Sequence, residues 1–592
     1  MRRVSLTLAL ALLVALVAAC AGQPAAQSTG QQPAAPAAPA AQATSAPAPA
    51  AAKATAPAAA AAPATQPAAG AAPAAKAPGG NVVRLNLSGY PDNLDPQQMS
   101  FANEIAMSGL LYEPLVRLGP DLKPAPGAAE SWKVSDDGLT WTFTLRPGLK
   151  YSDGSPLTAK DFEYAYKRAA DPRLAGEYQA ETFIIQGGEA YGTADPKAPA
   201  EQLNALRDKM AVKAIDDTTL EFKLTQPAAY FPYIAYLWIG YPVKQSIVES
   251  KGEDWWVKGE NQIGNGPFML KELKEKELAR FVPNPNWHGE KPAADEIQMR
   301  FITDSKVAFE AYRNGELESI VLAAEDLEAA QKDPVLSKEI LRYPGGCTYA
   351  LQFNEVRPPF DQKDARQAAG KSIDREAWVR DVLRGLGRTT TSWLPPDIPG
   401  YDASMGADLK SDPAAAKALW DKVGYNGELK LTYSSTPRNK VRFEFVADQL
   451  RKALGVSPVL DPVETTTYTA LTKNVETSPQ IFILGWCSDY PDPQNWLSTY
   501  WRSTSGFAQR VGYKNAEFDK LVDQADVEKD ATKRLQLYQQ AEKLMLSDVA
   551  ASPLWNNENV FLVKPYVTTG KTTSQDSSFV GQLEPWKLGI QK

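Results

Sequence analysis

The stretch QIFILGWCSDYPDP, residues 480–493, decides how the rest of the chain is read. Its continuous apolar run from Gln480 to Trp486 is the pattern of a buried strand, and Pro491 and Pro493 close it off. A tryptophan, a cysteine and a carboxylate therefore stand at a strand end, where α/β proteins tend to place ligands. Taken alone, Asp489 serves equally well as a turn cap or as a ligand contact.

The same alternation of strand and helix extends in both directions. Upstream, Leu429, Leu431 and Tyr433 read as a strand, and Val441 to Leu454 as a helix stopped by Gly455. With the strand at Gln480 to Trp486 this gives a βαβ rhythm. Before it, Ser411 or Asp412 caps a helix with Pro413 in its first turn and Gly424 at its close. Further upstream, Leu139, Trp141, Phe143 and Leu145 alternate with threonines until Pro147-Gly148, and a capping box at Thr158–Asp161 opens a helix. Downstream, Phe518, Leu521, Val522 and Ala525, then Leu537, Ala541, Leu544 and Met545, mark two amphipathic helices. The expected fold class is α/β, with antiparallel elements in the first half.

Composition excludes several kinds of chemistry. The 592 residues carry 63 Lys and Arg against 70 Asp and Glu, a net charge of −7, so no nucleic-acid partner is expected. His288 is the single histidine, which rules out a His-rich zinc site and leaves one candidate base for a nucleophile. No GxSxG, GxxxxGK[ST], HExxH or full GxGxxG occurs; Gly264-Asn265-Gly266 and Gly385-Leu386-Gly387 read as turns. Asp523, Asp526 and Asp530 lack calcium-loop spacing and read as a solvated helix face. No catalytic residue, metal or cofactor is implied.

The amino-terminal end reads as an address. Residues 1–20, MRRVSLTLALALLVALVAAC, have two arginines, an apolar run and small residues before a cysteine, the pattern of a secretory signal. Val17-Ala18-Ala19-Cys20 resembles a bacterial lipobox, which makes Cys20 the lipidated first residue of the mature protein and places that protein on the extracytoplasmic face of the cell membrane. Residues 21–80 are almost all Ala, Pro, Gln, Ser, Thr and Gly, a disordered tether that spans roughly 45 Å as a coil and up to roughly 190 Å extended. Cys347 and Cys487 then remain for one disulfide in an oxidising compartment. Spacing alone leaves open two separately buried thiols.

GWCSDYPDP resembles the oligopeptide-binding proteins of ABC importers, a large solute-binding family that also takes dipeptides, nickel chelates, haem and some oligosaccharides. The likeness runs through NLDP at Asn93–Pro96, LLYEPLV at Leu110–Val116, DGLTWTFTLRPGLKYSDGSPLTAKDF at Asp137–Phe162 and IGNGPF at Ile263–Phe268. It continues through CTYALQFNEVRPPFDQKDARQA at Cys347–Ala368, NAEFDKLV at Asn515–Val522 and LVKPYV at Leu562–Val567. The number and order of these matches carry the resemblance.

The resemblance implies a two-lobed body with an inserted domain. Lobe I would take residues 81–120, 213–346 and 551–592, domain II residues 121–212, and lobe III residues 347–550, with ligand in a cleft between lobes I and III that closes by hinge motion. It further implies that Asp489 meets a peptide α-ammonium, that Gly485, Trp486 and Cys487 bond the peptide backbone, and that Ser100, Phe101 and Ala102 do so from lobe I. The cysteines matching Cys347 and Cys487 pair in some members. The expected partners are an oligopeptide ligand and an ABC permease, and the expected state is a monomer. Where some members carry an arginine for the ligand carboxylate, Ile483 offers no charge, and Lys473 reads as a surface residue. Trp393, Trp486, Trp496, Trp501 and Trp555 are candidate cleft aromatics, which leaves an oligosaccharide or a metal chelate as alternative solutes. A glycosidase using two carboxylates and a tethered adhesion protein are the other classes weighed.

Overall fold

The computed structural model describes residues 80–591. The signal sequence, Cys20 and all but the last residue of the tether lie outside the described residues. Strands β1 (Val82–Asn86), β2 (Ala129–Val134), β3 (Thr140–Leu145), β4 (Val212–Ala214), β5 (Thr219–Lys223), β6 (Phe268–Lys274), β7 (Leu278–Pro283), β8 (Glu296–Arg300) and β9 (Ser319–Val321) come before residue 340. After it come β10 (Ile340–Phe353), β11 (Lys430–Ser434), β12 (Val459–Val463), β13 (Ile481–Cys487) and β14 (Ala551–Val563). The helices that matter here are α1 (Ala102–Leu111), α2 (Ala159–Ala169), α3 (Ala324–Lys332), α4 (Pro413–Val423), α5 (Pro437–Leu454), α6 (Pro493–Trp501), α7 (Ala516–Val527) and α8 (Ala531–Asp548).

Local chemistry accounts for most of these boundaries. In β3, Trp141, Phe143 and Leu145 are buried while the threonines between them are half-buried, as a period of two requires. Thr158 caps α2 within a capping box closed by Asp161. Asp412 caps α4, Pro413 fills its first turn, and Gly424 ends it in the left-handed region at φ 65°. Helix α5 begins before the expected Val441, because Thr436 supplies a cap and Pro437 a first-turn residue.

One strand assignment is corrected. The partner of β11 across α5 is β12, paired with it in parallel, and not the strand at 480–486. Asp461 and Pro462 hide the apolar run of β12, and Pro is tolerated because this two-stranded sheet has only edges. β13 instead pairs antiparallel with β10.

A nine-stranded mixed sheet joins both halves of the chain, in the order β13-β10-β14-β9-β1-β8-β7-β6, with the short strand Arg388–Thr389 also paired to β14. A second, antiparallel sheet has the order β2-β3-β5-β4. The apolar interior falls into two large clusters. The first unites β1, the second sheet, α1 and α2; the second surrounds β13, α4 to α8 and the distal half of β10. The long strands β10 and β14 run through both: Tyr343 and Phe561 lie in the first, Leu351 and Leu554 in the second. Their pairing is irregular between Pro344 and Thr348, where β10 passes from one core to the other.

Two polar expectations also change. Asp526 is 1% exposed and accepts hydrogen bonds from Ser498 and Tyr538 beside Arg502, so it belongs to the interior rather than to a solvated face; Asp530 caps α8. Trp393, Trp496 and Trp501 are fully buried and pack edge-on within the second core, and Trp555 is 3% exposed. Of the five candidate cleft tryptophans, only Trp486 is half-buried.

Candidate functional site

Strand β13 is an edge strand: among the described residues it pairs with β10 on one side and with no strand on the other. Its first residues, Ile481 and Phe482, are buried, the middle is half-buried and Cys487 is exposed. The unpaired edge of Gly485–Cys487 leaves backbone groups that an added extended chain would satisfy. Gly485 is required by close packing, since a Cβ there would stand 2.5 Å from the Thr348 carbonyl oxygen and from the Tyr349 ring. Cys347 and Cys487 sit opposite each other in the β10–β13 ladder and form a disulfide, which pins this edge just before the loop that carries Asp489.

That loop crosses between the two cores. Trp486 packs on Tyr500 and Phe507 in the second, whereas Tyr490 is buried in the first and stacks on Tyr233. Asp492 caps α6 and forms a bidentate ion pair with Arg534, the role of a turn-maker.

Asp489 is held on three sides. Its Oδ1 accepts from the Tyr178 hydroxyl at 2.8 Å and its Oδ2 from Asn495 Nδ2 at 3.0 Å, while its own N–H donates to Asn495 Oδ1 at 3.1 Å. The same Asn495 oxygen accepts from Trp486 Nε1 at 3.0 Å. Among the described residues no Lys or Arg pairs with Asp489. Burial pushes its pKa up to about 6, against the pull of the Asn495 and Tyr178 hydrogen bonds. Glu181, three residues beyond Tyr178, is raised to about 8 by burial and then by the Asp489 charge. The site is short of positive charge.

The structure brings the expected segments of both halves together. Tyr178 packs edge-on against Trp238, and Trp238 Nε1 donates to the Met99 carbonyl, directly before Ser100. Ser100, Phe101 and Ala102 lead into α1. The N–H groups of Ser100 and Phe101 donate to Glu104, and Phe101 is 59% exposed, so its ring is the surface this segment offers.

Four residues back along β13, a second charged feature appears. Arg442 on α5 lies 5.4 Å from the Trp555 ring, which stacks on Tyr349, the ladder partner of Gly485. Its Nε is buried without a hydrogen bond, and no carboxylate pairs with it among the described residues. Burial and then Arg438 lower its pKa. Arg438 stands one turn away on the same helix. Lys473 is exposed, as expected of a surface lysine.

Sequence reading missed Tyr178, Glu181, Asn495 and Arg442. Asn495, in the PDPQN start of α6, was the most accessible of these: a helix begun by Asp492-Pro493 turns its third residue back toward the loop.

An edge strand open beside a carboxylate without a cation suits an extended, positively charged ligand. A model described as bacterial extracellular solute-binding proteins, family 5 (middle), matches residues 123–508. The chain belongs to this family. Among its relatives, oligopeptide-binding protein OppA of Bacillus subtilis is 30% identical over 497 residues, covering 81% of this chain and 88% of the relative. The probable deoxycholate-binding periplasmic protein YgiS of Escherichia coli is 30% identical, covering 82% and 90%. Haemophilus influenzae OppA in complex with the peptide RPPGFSPFR superposes with a TM-score of 0.71 at 26% identity, covering 87% of this family 5 protein and all of that chain. Among the described residues no helix is long and apolar enough to cross a membrane.

Proposed function

We propose that this family 5 protein captures oligopeptides outside the cell membrane, without turnover, and delivers them to an ABC permease, held at the membrane by lipid on Cys20 and by the 21–80 tether. The lobe boundaries set out from the sequence are part of this proposal, with Tyr178 of domain II meeting Asp489 of lobe III beside the cleft between lobes I and III. The observation that carries it is the open edge of β13 leading into the loop of Asp489, with which no Lys or Arg among the described residues pairs.

The physics of such a site is consistent. A peptide added as a further strand has its main chain satisfied whatever its sequence. Its α-ammonium would enter between Asp489 and Tyr178, restoring the charge the cleft lacks. Arg442, over the Trp555 ring that stacks on Tyr349, the ladder partner of Gly485, is the cation proposed to meet the ligand carboxylate. The support from relatives is that several are named for oligopeptide or dipeptide binding.

Calorimetric titration with matched free-amine and N-acetylated peptides tests the reading. The free amine is expected to bind at least about tenfold tighter. Equal binding would remove Asp489 from the proposed role.

A further inference from the structure

Beyond the Tyr178–Asp489 contact lies a cavity of about 520 Å³, walled on one side by Glu181, Tyr230 and Ile234 and on the other by Gln494, Thr499 and Arg502. It adjoins the Asp489 site through neighbouring residues on both walls. The turn Gln179–Thr182 that follows Tyr178 presents Glu181 to the cavity. On α6, Asn495 bonds Asp489 while Gln494 lines the cavity.

The charges on these walls are not equally committed. Arg502 is paired with Asp526 at 2.6 Å and with Asp523 at 2.8 Å, and Asp526 is further held by Ser498 and Tyr538. Glu189 stands exposed at the rim. Glu181 is half-buried, and among the described residues its carboxylate has neither an ion pair nor a hydrogen bond. Asp489 and Glu181 are thus two neighbouring carboxylates that no cation among the described residues neutralises.

We propose that this cavity receives the side chain of the ligand's first residue and that Glu181 makes it select a basic one, lysine or arginine. The inference rests on the peptide reading of the cleft and adds a side-chain preference to it. With the α-ammonium on Asp489, the first side chain leaves the backbone beside the shared wall. A long basic side chain places its cation against Glu181, whereas a short or acidic one leaves that carboxylate uncompensated. The volume accommodates arginine together with ordered water.

The test uses ligand-stripped protein and tripeptides that differ only in the first residue: lysine, its uncharged isostere norleucine, alanine and glutamate. Wild type is expected to bind the lysine peptide about tenfold tighter than the norleucine peptide, and the glutamate peptide weakest. Glu181→Gln is expected to bring the lysine-to-norleucine ratio close to one while leaving the alanine peptide nearly unchanged. Equal binding of lysine and norleucine peptides to wild type, or a ratio that survives Glu181→Gln, overturns the proposal. Asp489→Asn separates the two levels: if it weakens all four peptides together while wild type shows no first-residue preference, the cleft reading stands and the Glu181 assignment falls. If none of the four peptides binds, both fall.

Discussion

The Tyr178 hydroxyl donates to Asp489 Oδ1 at 2.8 Å, joining residues 311 positions apart in the chain and two separate apolar cores. The contact closes the site over a carboxylate that faces Glu181 and has no cation among the described residues. Under the proposed role, a ligand ammonium entering there would supply the charge this arrangement lacks.

Replacing Asp489 by Asn keeps the shape and removes the charge. Loss of one partner from a buried charge pair costs about 2–5 kcal/mol, so the dissociation constant for a free-amine peptide should rise at least about tenfold. N-acetylated peptides, which do not use that charge, should change little; calorimetry on both ligands reads the difference.

The acidity of the empty site gives a pH signature. Asp489 and Glu181 are raised above ordinary carboxylate values, to about 6 and about 8. The stability they contribute is full below about pH 4 and is lost as pH rises through those two values. Empty wild type should therefore lose thermal stability from pH 5 to 8 relative to the double variant Asp489→Asn/Glu181→Gln, and a saturating basic peptide should cancel the difference. Ammonium binding needs ionised Asp489, so peptide affinity should fall as pH drops below about 6.

Arg442→Gln should weaken peptides with a free carboxylate and leave their C-terminal amides nearly unaffected. Comparing the two ligand series on wild type and variant isolates the charge from general packing against Trp555.

The Cys347–Cys487 bridge closes a loop with a sequence separation of 140. Chain-entropy reasoning assigns such a loop about 5 kcal/mol, so Cys347→Ser/Cys487→Ser should melt well below wild type. Peptide affinity at low temperature should change only a few-fold, because the β10–β13 ladder holds the edge by itself.

Gly485→Ala tests the edge strand directly. The added methyl meets the Thr348 carbonyl and the Tyr349 ring, and overpacking of this kind costs about 1–3 kcal/mol. Lower melting temperature and weaker binding should appear together.

Much of this organisation is legible in local sequence. The Thr158–Asp161 box, Asp412-Pro413 with Gly424, and the Trp141-Phe143-Leu145 alternation fix their elements because caps and periodicity are local physics. The strand at Gln480–Trp486 is equally plain, but its partner is not, since pairing with β10 joins segments more than a hundred residues apart. Asp526 looks like any exposed helical acid until α6 and α8 bring Ser498, Arg502 and Tyr538 around it. Trp393, Trp496 and Trp501 show the converse: aromatic content alone does not tell a cleft from a core. Glu181 and Arg442 stand out only as charges left without ion-pair partners among the described residues after folding, and no spacing rule shows that.

The most direct test of the central claim is the identity of the molecules the protein carries. Purified without refolding, then denatured, it should release a mixed set of short peptides by mass spectrometry, with free amino termini and an excess of lysine or arginine at the first position. A single defined non-peptide species, such as a glycan, a bile acid or a metal chelate, would contradict the peptide account of the cleft and with it the roles of Asp489 and Glu181.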